Sequence, residues 1–261
     1  MQIDVRAHLH YASAVACDLL LQIEPSNDAA QHVLFERLSL PGGSVSREIS
    51  GDHGIGRRRW ITAQASFACE YVASFDVQRR CQDLASLPAC PVAQTPAEAT
   101  PYLMPSRYCH PEAFFDLLAD TFSGLSGGPL VVAANTWIKA HFTYDIFASP
   151  TGTTATDTLH SRAGVCRDYA HVLISILRAA GIPARYVSAY APGVDPQDFH
   201  AVCEVYLDNA WHLIDPTGMA DPHEIIRIGV GRDAADVSFL TSYGQLELKN
   251  QAVDVIRVDP S

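Results

Sequence analysis

Five prolines within the 19 residues from Leu87 to Pro105 divide this chain into two parts. This stretch cannot form a helix or a central strand, because proline lacks the backbone N–H that both structures use. We predict a connector over residues 81–106 that lies across the surface of the second part. It separates a β-rich N-terminal domain, residues 1–80, from a C-terminal domain, residues 107–261.

The N-terminal part has the pattern of short strands. Residues 15–23 and 32–40 are rich in Val, Ile, Leu and Phe, and a polar turn separates them. Residues 59–77 have the pattern of one or two further strands. Short strands at a spacing of about ten residues predict a small antiparallel sandwich or sheet. No residue in this part indicates chemistry.

The C-terminal part mixes helices with strands. The spacing of its apolar residues predicts three helices, over residues 111–122, 130–142 and 165–180. The first helix is expected to bury Phe114 and Phe115 together. Strands are predicted over residues 184–191, 199–207 and 210–215, with further β pattern over residues 225–258. The sequence therefore predicts an α+β fold.

Composition and charge exclude several classes of protein. With 48% hydrophobic and 18% charged residues, the chain can bury a sizeable core, which excludes overall disorder. Acidic residues outnumber basic ones by 29 to 18, and the net charge of −11 argues against nucleic acid or an anionic membrane as a partner. No stretch has the pattern of a membrane span or a signal peptide. We therefore expect a cytoplasmic protein.

One of the seven cysteines has a distinctive position. The cysteines form no C-x-x-C pair, so the pattern is typical of neither a disulfide framework nor a zinc finger. Cys166 lies in the first turn of the helix predicted over residues 165–180, directly after Ala163 and Gly164. The unpaired N–H groups and the dipole of a helix start favour a thiolate, the nucleophilic form of cysteine. The alternative is a small buried residue, the commoner state of a free cysteine.

Strand alternation brings a histidine and a carboxylate together. The odd positions from Phe199 to Leu207 form an apolar face, which leaves His200 on the other face, away from the main core. A two-residue turn at 208–209 would place Asp215 opposite Val202, one diagonal step from His200. A carboxylate at that distance orients an imidazole and stabilises its cation. The alternatives are a surface histidine and an aspartate that only forms a turn.

Other polar residues have simpler interpretations. Cys203 lies on the opposite strand face from His200, and His171 lies well around the helix from Cys166, so neither pair is expected to bind zinc. Asp233 and Asp236 lack the ligand spacing of a calcium loop. We predict no metal and no cofactor. Arg167 and Asp168, in the first helical turn, are expected to cap the helix or to form surface pairs.

Four segments resemble a known family. They are SRAGVCRDYAH at residues 161–171, GIPARY at 181–186, His200 with Ala201, and WHLIDPT at 211–217. Together they are similar to the core of the transglutaminase-like superfamily, in the bacterial branch whose members are described as candidate cysteine proteases. The resemblance is strong over residues 130–217. The family often has Trp two residues after its catalytic histidine, where this chain has Val202.

The resemblance implies a papain-like fold, in which the helix of the nucleophile packs against an antiparallel sheet that carries His and Asp. It also implies acyl transfer through a thioester, with Cys166, His200 and Asp215 as the catalytic triad. We expect Cys166 to attack an amide carbonyl of a peptide or protein substrate, with its backbone N–H as an oxyanion donor. Hydrolysis, as in a peptidase or amidase, is the first hypothesis. A protein-glutamine transglutaminase and a non-catalytic peptide-binding protein are the alternatives.

Overall fold

The N-terminal part is a sandwich of two antiparallel sheets. The computed structural model describes residues 1–42, 44–64 and 66–258. Six strands come first: β1 (Gln2–Ala12), β2 (Cys17–Glu24), β3 (Gln31–Ser39), β4 (Ser46–Ser50), β5 (Arg57–Ala63) and β6 (Ser66–Val77). Strands β1, β6 and β3 lie in one sheet, and β2, β5 and β4 lie in the other. Alternate apolar residues, such as Ile3 and Val5 of β1, are buried between the sheets.

The proline-rich connector lies across the C-terminal part and consists of short 3₁₀ turns. Ala89 forms an isolated antiparallel bridge with Leu207, and the Asp208 N–H donates to the Pro88 carbonyl oxygen at 3.1 Å. Cys90 packs against Tyr206 in a small buried cluster. The connector therefore covers one side of the C-terminal sheet.

The C-terminal part places four helices and a third main sheet around one core. Its elements are α1 (Phe115–Thr121), α2 (Gly127–His141), β7 (Thr143–Tyr144), α3 (Ala155–Ser161), β8 (Ala163–Gly164), α4 (Cys166–Ala179), β9 (Ala184–Tyr190), β10 (His200–Leu207), β11 (Ala210–Ile214) and β12 (Ile226–Gly231). The sheet has the antiparallel order β11-β10-β9-β12, and α4 packs against β9 and β10. The predicted α+β, papain-like architecture is confirmed.

The first predicted helix is shorter than expected and buries one phenylalanine instead of two. A 3₁₀ turn spans Pro111–Phe114, and α1 begins only at Phe115. Phe114 is 0% exposed, whereas Phe115 is 55% exposed. The prediction of a shared buried face was wrong, because neighbouring helical positions lie about 100° apart and one face cannot hold both side chains.

The last strands of the chain return to the N-terminal sandwich. Strand β13 (Leu240–Ser242) pairs with β2, and strand β14 (Glu247–Val258) pairs with β1. The predicted boundary, which assigned residues 107–261 to a single C-terminal domain, was wrong at this end. Val253 and Val255 are buried in the sandwich core, so burial of this alternating apolar face explains the return.

The two parts share a buried interface. The Tyr190 hydroxyl donates to the Ile23 carbonyl oxygen at 2.9 Å, and its ring is stacked on Tyr71. Glu204 of β10 lies between Arg185 and Arg227, and Arg227 also pairs with Asp28 of the sandwich. These contacts hold the sheet that carries the candidate site against the sandwich. Within the described ranges, no helix is long and apolar enough to cross a membrane.

Candidate active site

The start of α4 is built around Gly164 and Asp168. The Asp168 side chain is fully buried, and its Oδ2 accepts a hydrogen bond from the Val165 N–H at 2.9 Å. A Cβ atom at Gly164 would lie 2.7 Å from that Oδ2, so only glycine leaves room for the carboxylate. Asp168 caps the helix, as predicted, and thereby fixes the backbone that leads into Cys166.

The β10–β11 hairpin brings His200 and Asp215 together. Asp208 and Asn209 form its two-residue turn with positive φ angles of 46° and 61°. Leu207 pairs with Ala210, as predicted. The same register continued past the end of β11 sets Asp215 across from Val202 and beside His200. His200 Nε2 donates to Asp215 Oδ2 at 3.0 Å.

Asp215 is a fixed, buried carboxylate. Its Oδ1 accepts from the Thr217 backbone N–H at 2.8 Å, and its Oδ2 accepts from the Ala220 N–H at 2.8 Å. Burial alone would raise the pKa of Asp215, but the hydrogen bonds from His200 and these groups lower it below its ordinary value. Asp215 is therefore charged at neutral pH and accepts the proton of His200 Nε2.

His200 binds Asp215 and shares a cavity with Cys166. Burial alone would lower the pKa of His200, but the hydrogen bond to Asp215 and the interaction with Cys166 raise it to about 10. Its second ring nitrogen, Nδ1, has no hydrogen-bond partner within the part of the chain that the structure describes. One nitrogen is thus engaged with a carboxylate, which leaves the other for proton transfer.

The packing of α4 on β10 brings Cys166 to the level of His200. The Cys203 thiol donates to the Ala170 carbonyl oxygen at 3.5 Å, which fixes one turn of α4 beside the middle of β10. Cys166 lies one helical turn before Ala170, and His200 lies three residues before Cys203. Both residues line one cavity of about 460 Å³. The structure therefore brings together all three residues that the sequence selected.

Comparison with known proteins agrees with this arrangement. The family model described as Transglutaminase-like superfamily matches residues 126–216, a range that contains Cys166, His200 and Asp215. The chain carries a transglutaminase-like domain. The whole chain also superposes on the crystal structure of a candidate cysteine protease from Cytophaga hutchinsonii. The TM-score is 0.91 with 29% sequence identity, and the match covers 100% of this chain and 92% of that one.

Curated relatives match over shorter ranges. An uncharacterised protein of Mycobacterium leprae is 34% identical over 118 residues, which are 41% of this chain and 42% of that protein. A protein-glutamine gamma-glutamyltransferase of Pseudomonas aeruginosa is 34% identical over 97 residues, which are 32% of this chain and 14% of that enzyme. The match thus spans less than half the length of either relative.

Aromatic residues form much of the wall of the cavity that contains Cys166 and His200. The wall includes Tyr108, Tyr144, Tyr186, Phe199 and Phe239. The rings of Phe199 and Phe239 are stacked with centroids 4.6 Å apart. Sequence reasoning missed Phe239 because it lies far along the chain in a segment that joins the two parts. Tyr144 lies between the helices predicted over residues 130–142 and 165–180, in a segment where the sequence predicts no helix or strand.

Val202 does not form part of this wall. It is 0% exposed and packs in the apolar cluster that contains Val187 and Leu213. The valine at the position where the family often has Trp therefore does not shape the cleft, because its side chain packs inside this cluster. The expectation that only the odd face of β10 lies in a core was too narrow. Every residue of β10 is buried, because the cluster around Val187 and Leu213 covers Val202 and the connector covers Tyr206 on the second face.

The remaining predicted residues have structural contacts. Arg167 donates to the Ser149 hydroxyl at 2.6 Å and to the Pro150 carbonyl oxygen at 3.0 Å, which ties the loop after β7 to α4. His171 is fully buried, and its Nε2 accepts from the Ala234 N–H at 3.2 Å. Over residues 1–42, 44–64 and 66–258, no group of three or more His, Cys, Asp or Glu side chains is arranged to hold a metal ion.

Proposed function

We propose that this chain is a cysteine-dependent acyl-transfer enzyme that acts on an amide bond of a peptide or protein. The observation that carries the proposal is the His200–Asp215 contact of 3.0 Å, in a site where His200 shares a cavity with Cys166. A cysteine, an imidazole and an orienting carboxylate in this order are the parts that thiol-dependent acyl transfer requires.

The proposed reaction has two halves. The thiolate of Cys166 attacks the amide carbonyl, and the C–S bond forms as the carbonyl oxygen becomes an oxyanion. His200, protonated at neutral pH, gives its Nδ1 proton to the leaving amine as the C–N bond breaks, which leaves a thioester on Cys166. His200 then takes a proton from the incoming acceptor as it attacks the thioester, and the C–S bond breaks to release the acyl product and the Cys166 thiolate. Asp215 keeps the imidazole oriented throughout.

Water is the proposed acyl acceptor. The whole-chain likeness to the Cytophaga hutchinsonii protein, described as a candidate cysteine protease, supports hydrolysis. A second candidate is transfer to an amine, which the local match to the Pseudomonas aeruginosa gamma-glutamyltransferase favours. Both routes share the same thioester, so the triad does not distinguish between them. Access of the acceptor to the aromatic cavity decides the outcome.

The test is product analysis by mass spectrometry after incubation with a peptide library and millimolar cadaverine. We expect free-acid products with the wild-type protein and no product with Cys166→Ala. Cys81→Ser is the matched control, because Cys81 is an exposed cysteine outside the cavity. If cadaverine adducts were the main products, the assignment would change from a hydrolase to a transglutaminase. Peptide binding without any product that depends on Cys166 would contradict the enzyme and support the non-catalytic alternative.

A further inference from the structure

Tyr144 is fixed beside the start of α4 by backbone pairing. Strands β7 and β8 run parallel, with Tyr144 paired to Gly164. The Thr143 N–H donates to the Arg162 carbonyl oxygen at 2.8 Å, and the Asp145 N–H donates to the Gly164 carbonyl oxygen at 2.9 Å. The backbone on both sides of Tyr144 is therefore attached to the segment that leads into Cys166.

The Tyr144 side chain lies in the candidate site. It lines the same cavity as Cys166 and His200, and its ring packs against Tyr169 with centroids 6.1 Å apart. Burial raises the pKa of Tyr144, the Cys166 thiol raises it further, and the Cys166 backbone N–H acts in the opposite direction. Tyr144 and Cys166 thus lie in one cavity, on segments joined by backbone pairing, and the phenol keeps its proton at neutral pH.

That location is where the substrate oxygen must lie. When Cys166 attacks a carbonyl, the oxygen that gains negative charge has to be within reach of donors near the sulfur atom. The Cys166 N–H at the helix start supplies one donor, and a tetrahedral oxyanion accepts more than one hydrogen bond. A neutral phenol is a suitable second donor because its O–H gives a strong hydrogen bond without a charge that must be buried.

We infer that the Tyr144 hydroxyl and the Cys166 backbone N–H together bind the carbonyl oxygen of the substrate and the oxyanion formed on it. The inference rests on the proposed acyl-transfer function and names a catalytic residue that the sequence motifs do not contain. Tyr186 and Tyr108 also line the cavity, but their rings pack against His171. The Tyr108 hydroxyl donates to the Thr151 carbonyl oxygen at 3.4 Å.

Two reagents that modify Cys166 separate oxyanion binding from thiol reactivity. p-Nitrophenyl acetate acylates a thiol through a tetrahedral oxyanion, whereas iodoacetamide alkylates it by displacement of iodide, with no oxyanion. The rate of each modification at Cys166 is followed by peptide mass spectrometry on the full chain. This readout also separates Cys166 from the other six cysteines.

Tyr144→Phe removes the donor and keeps the ring. We expect acetylation of Cys166 to slow on the order of 100-fold, while alkylation keeps the wild-type rate. Tyr169→Phe is the matched control, because it removes a hydroxyl from the ring that packs on Tyr144 but does not line the cavity. It is expected to leave both rates unchanged.

Three results would overturn the inference. If acetylation and alkylation of Cys166 slowed equally in Tyr144→Phe, Tyr144 would act on the thiol and not on the oxyanion. Unchanged acetylation would show that the hydroxyl is not a donor. A loss of acetylation in Tyr186→Phe but not in Tyr144→Phe would assign the role to the other tyrosine. A failure of the proposed acyl-transfer function would give a different result from these three. In that case, Cys166 of the wild-type protein would react no faster than exposed Cys81 with either reagent.

Discussion

His200 Nε2 lies 3.0 Å from Asp215 Oδ2, and both side chains are almost completely buried, with exposures of 0% and 2%. The two residues are brought together by the β10–β11 hairpin, and Asp215 is held in turn by backbone N–H groups of the following loop. An imidazole held in this way has one fixed orientation. Cys166, at the start of α4, lines the same cavity as His200.

Asp215→Asn should preserve the fold and remove most of the activity. An asparagine retains one of the two oxygens that accept from the loop N–H groups, but it no longer stabilises the imidazolium, so we expect kcat to fall by about 10⁴. Asp221→Asn is the matched control, since Asp221 forms an exposed pair with His223 on the same loop at 2.8 Å. Activity assays and thermal unfolding of both variants test this prediction. An active Asp215→Asn protein would remove Asp215 from the mechanism.

The stability of the protein should fall as pH rises above neutrality because of His200. Its folded-state pKa of about 10 lies above the ordinary value of 6.5, so the folded state binds the proton more tightly than the unfolded chain does. The stabilisation is complete below pH 6.5 and is lost as pH rises from there through about 10. His200→Gln should show a smaller loss over this window. Denaturant unfolding at several pH values measures the loss of stability. If the free energy of unfolding changed with pH equally in the wild type and in His200→Gln, the raised pKa of His200 would be contradicted.

Gly164→Ala should destabilise the protein and slow the reaction of Cys166. The added methyl group would displace the Asp168 carboxylate and leave the Val165 N–H without its acceptor, at a cost of about 1–3 kcal/mol. Gly152→Ala is the matched control, since a Cβ atom at Gly152 has no heavy atom within 4 Å. Thermal unfolding and iodoacetamide labelling check both effects. Equal behaviour of the two variants would show that the helix cap does not need glycine.

Glu204 should be important for stability although it is remote from the thiol. Burial would raise the pKa of Glu204, but Arg227 and Arg185 lower it below its ordinary value, so its carboxylate is charged. Glu204→Ala would leave two buried guanidinium groups without this partner and should cost about 3–5 kcal/mol. Glu247→Ala breaks an exposed pair with Lys249 and should cost about 0–1 kcal/mol. Denaturant unfolding compares the two, and similar losses would contradict the assigned difference.

The geometry of the candidate site could be predicted because it depends on local rules. Two-residue periodicity assigned His200 to one strand face, and the short turn at Asp208 and Asn209 fixed the register that sets Asp215 beside it. Gly181 marked the end of α4, which in turn indicated its start near Cys166. Each step involved neighbours in sequence or a tight hairpin, where spacing alone determines which side chains meet.

The parts that could not be predicted depend on long-range partners. Alternation along β14 indicates a strand, but it does not say that its partner is β1 at the other end of the chain. For the same reason, the sequence could not show that the connector covers Tyr206 on the second face of β10. Tyr144 belongs to a strand of only two residues, too short to have a recognisable period, so the sequence could not show its pairing with Gly164.

The most direct measurement of the central claim is intact-protein mass spectrometry of the reaction, quenched with acid during turnover of a peptide cleaved by the wild-type protein. We predict a transient acyl adduct that peptide mapping assigns to Cys166, with its decay matched by release of the free acid. We expect neither adduct nor product with Cys166→Ala. Wild-type product formation by Cys166→Ala, or an adduct on another residue during turnover, would contradict the claim that Cys166 is the nucleophile.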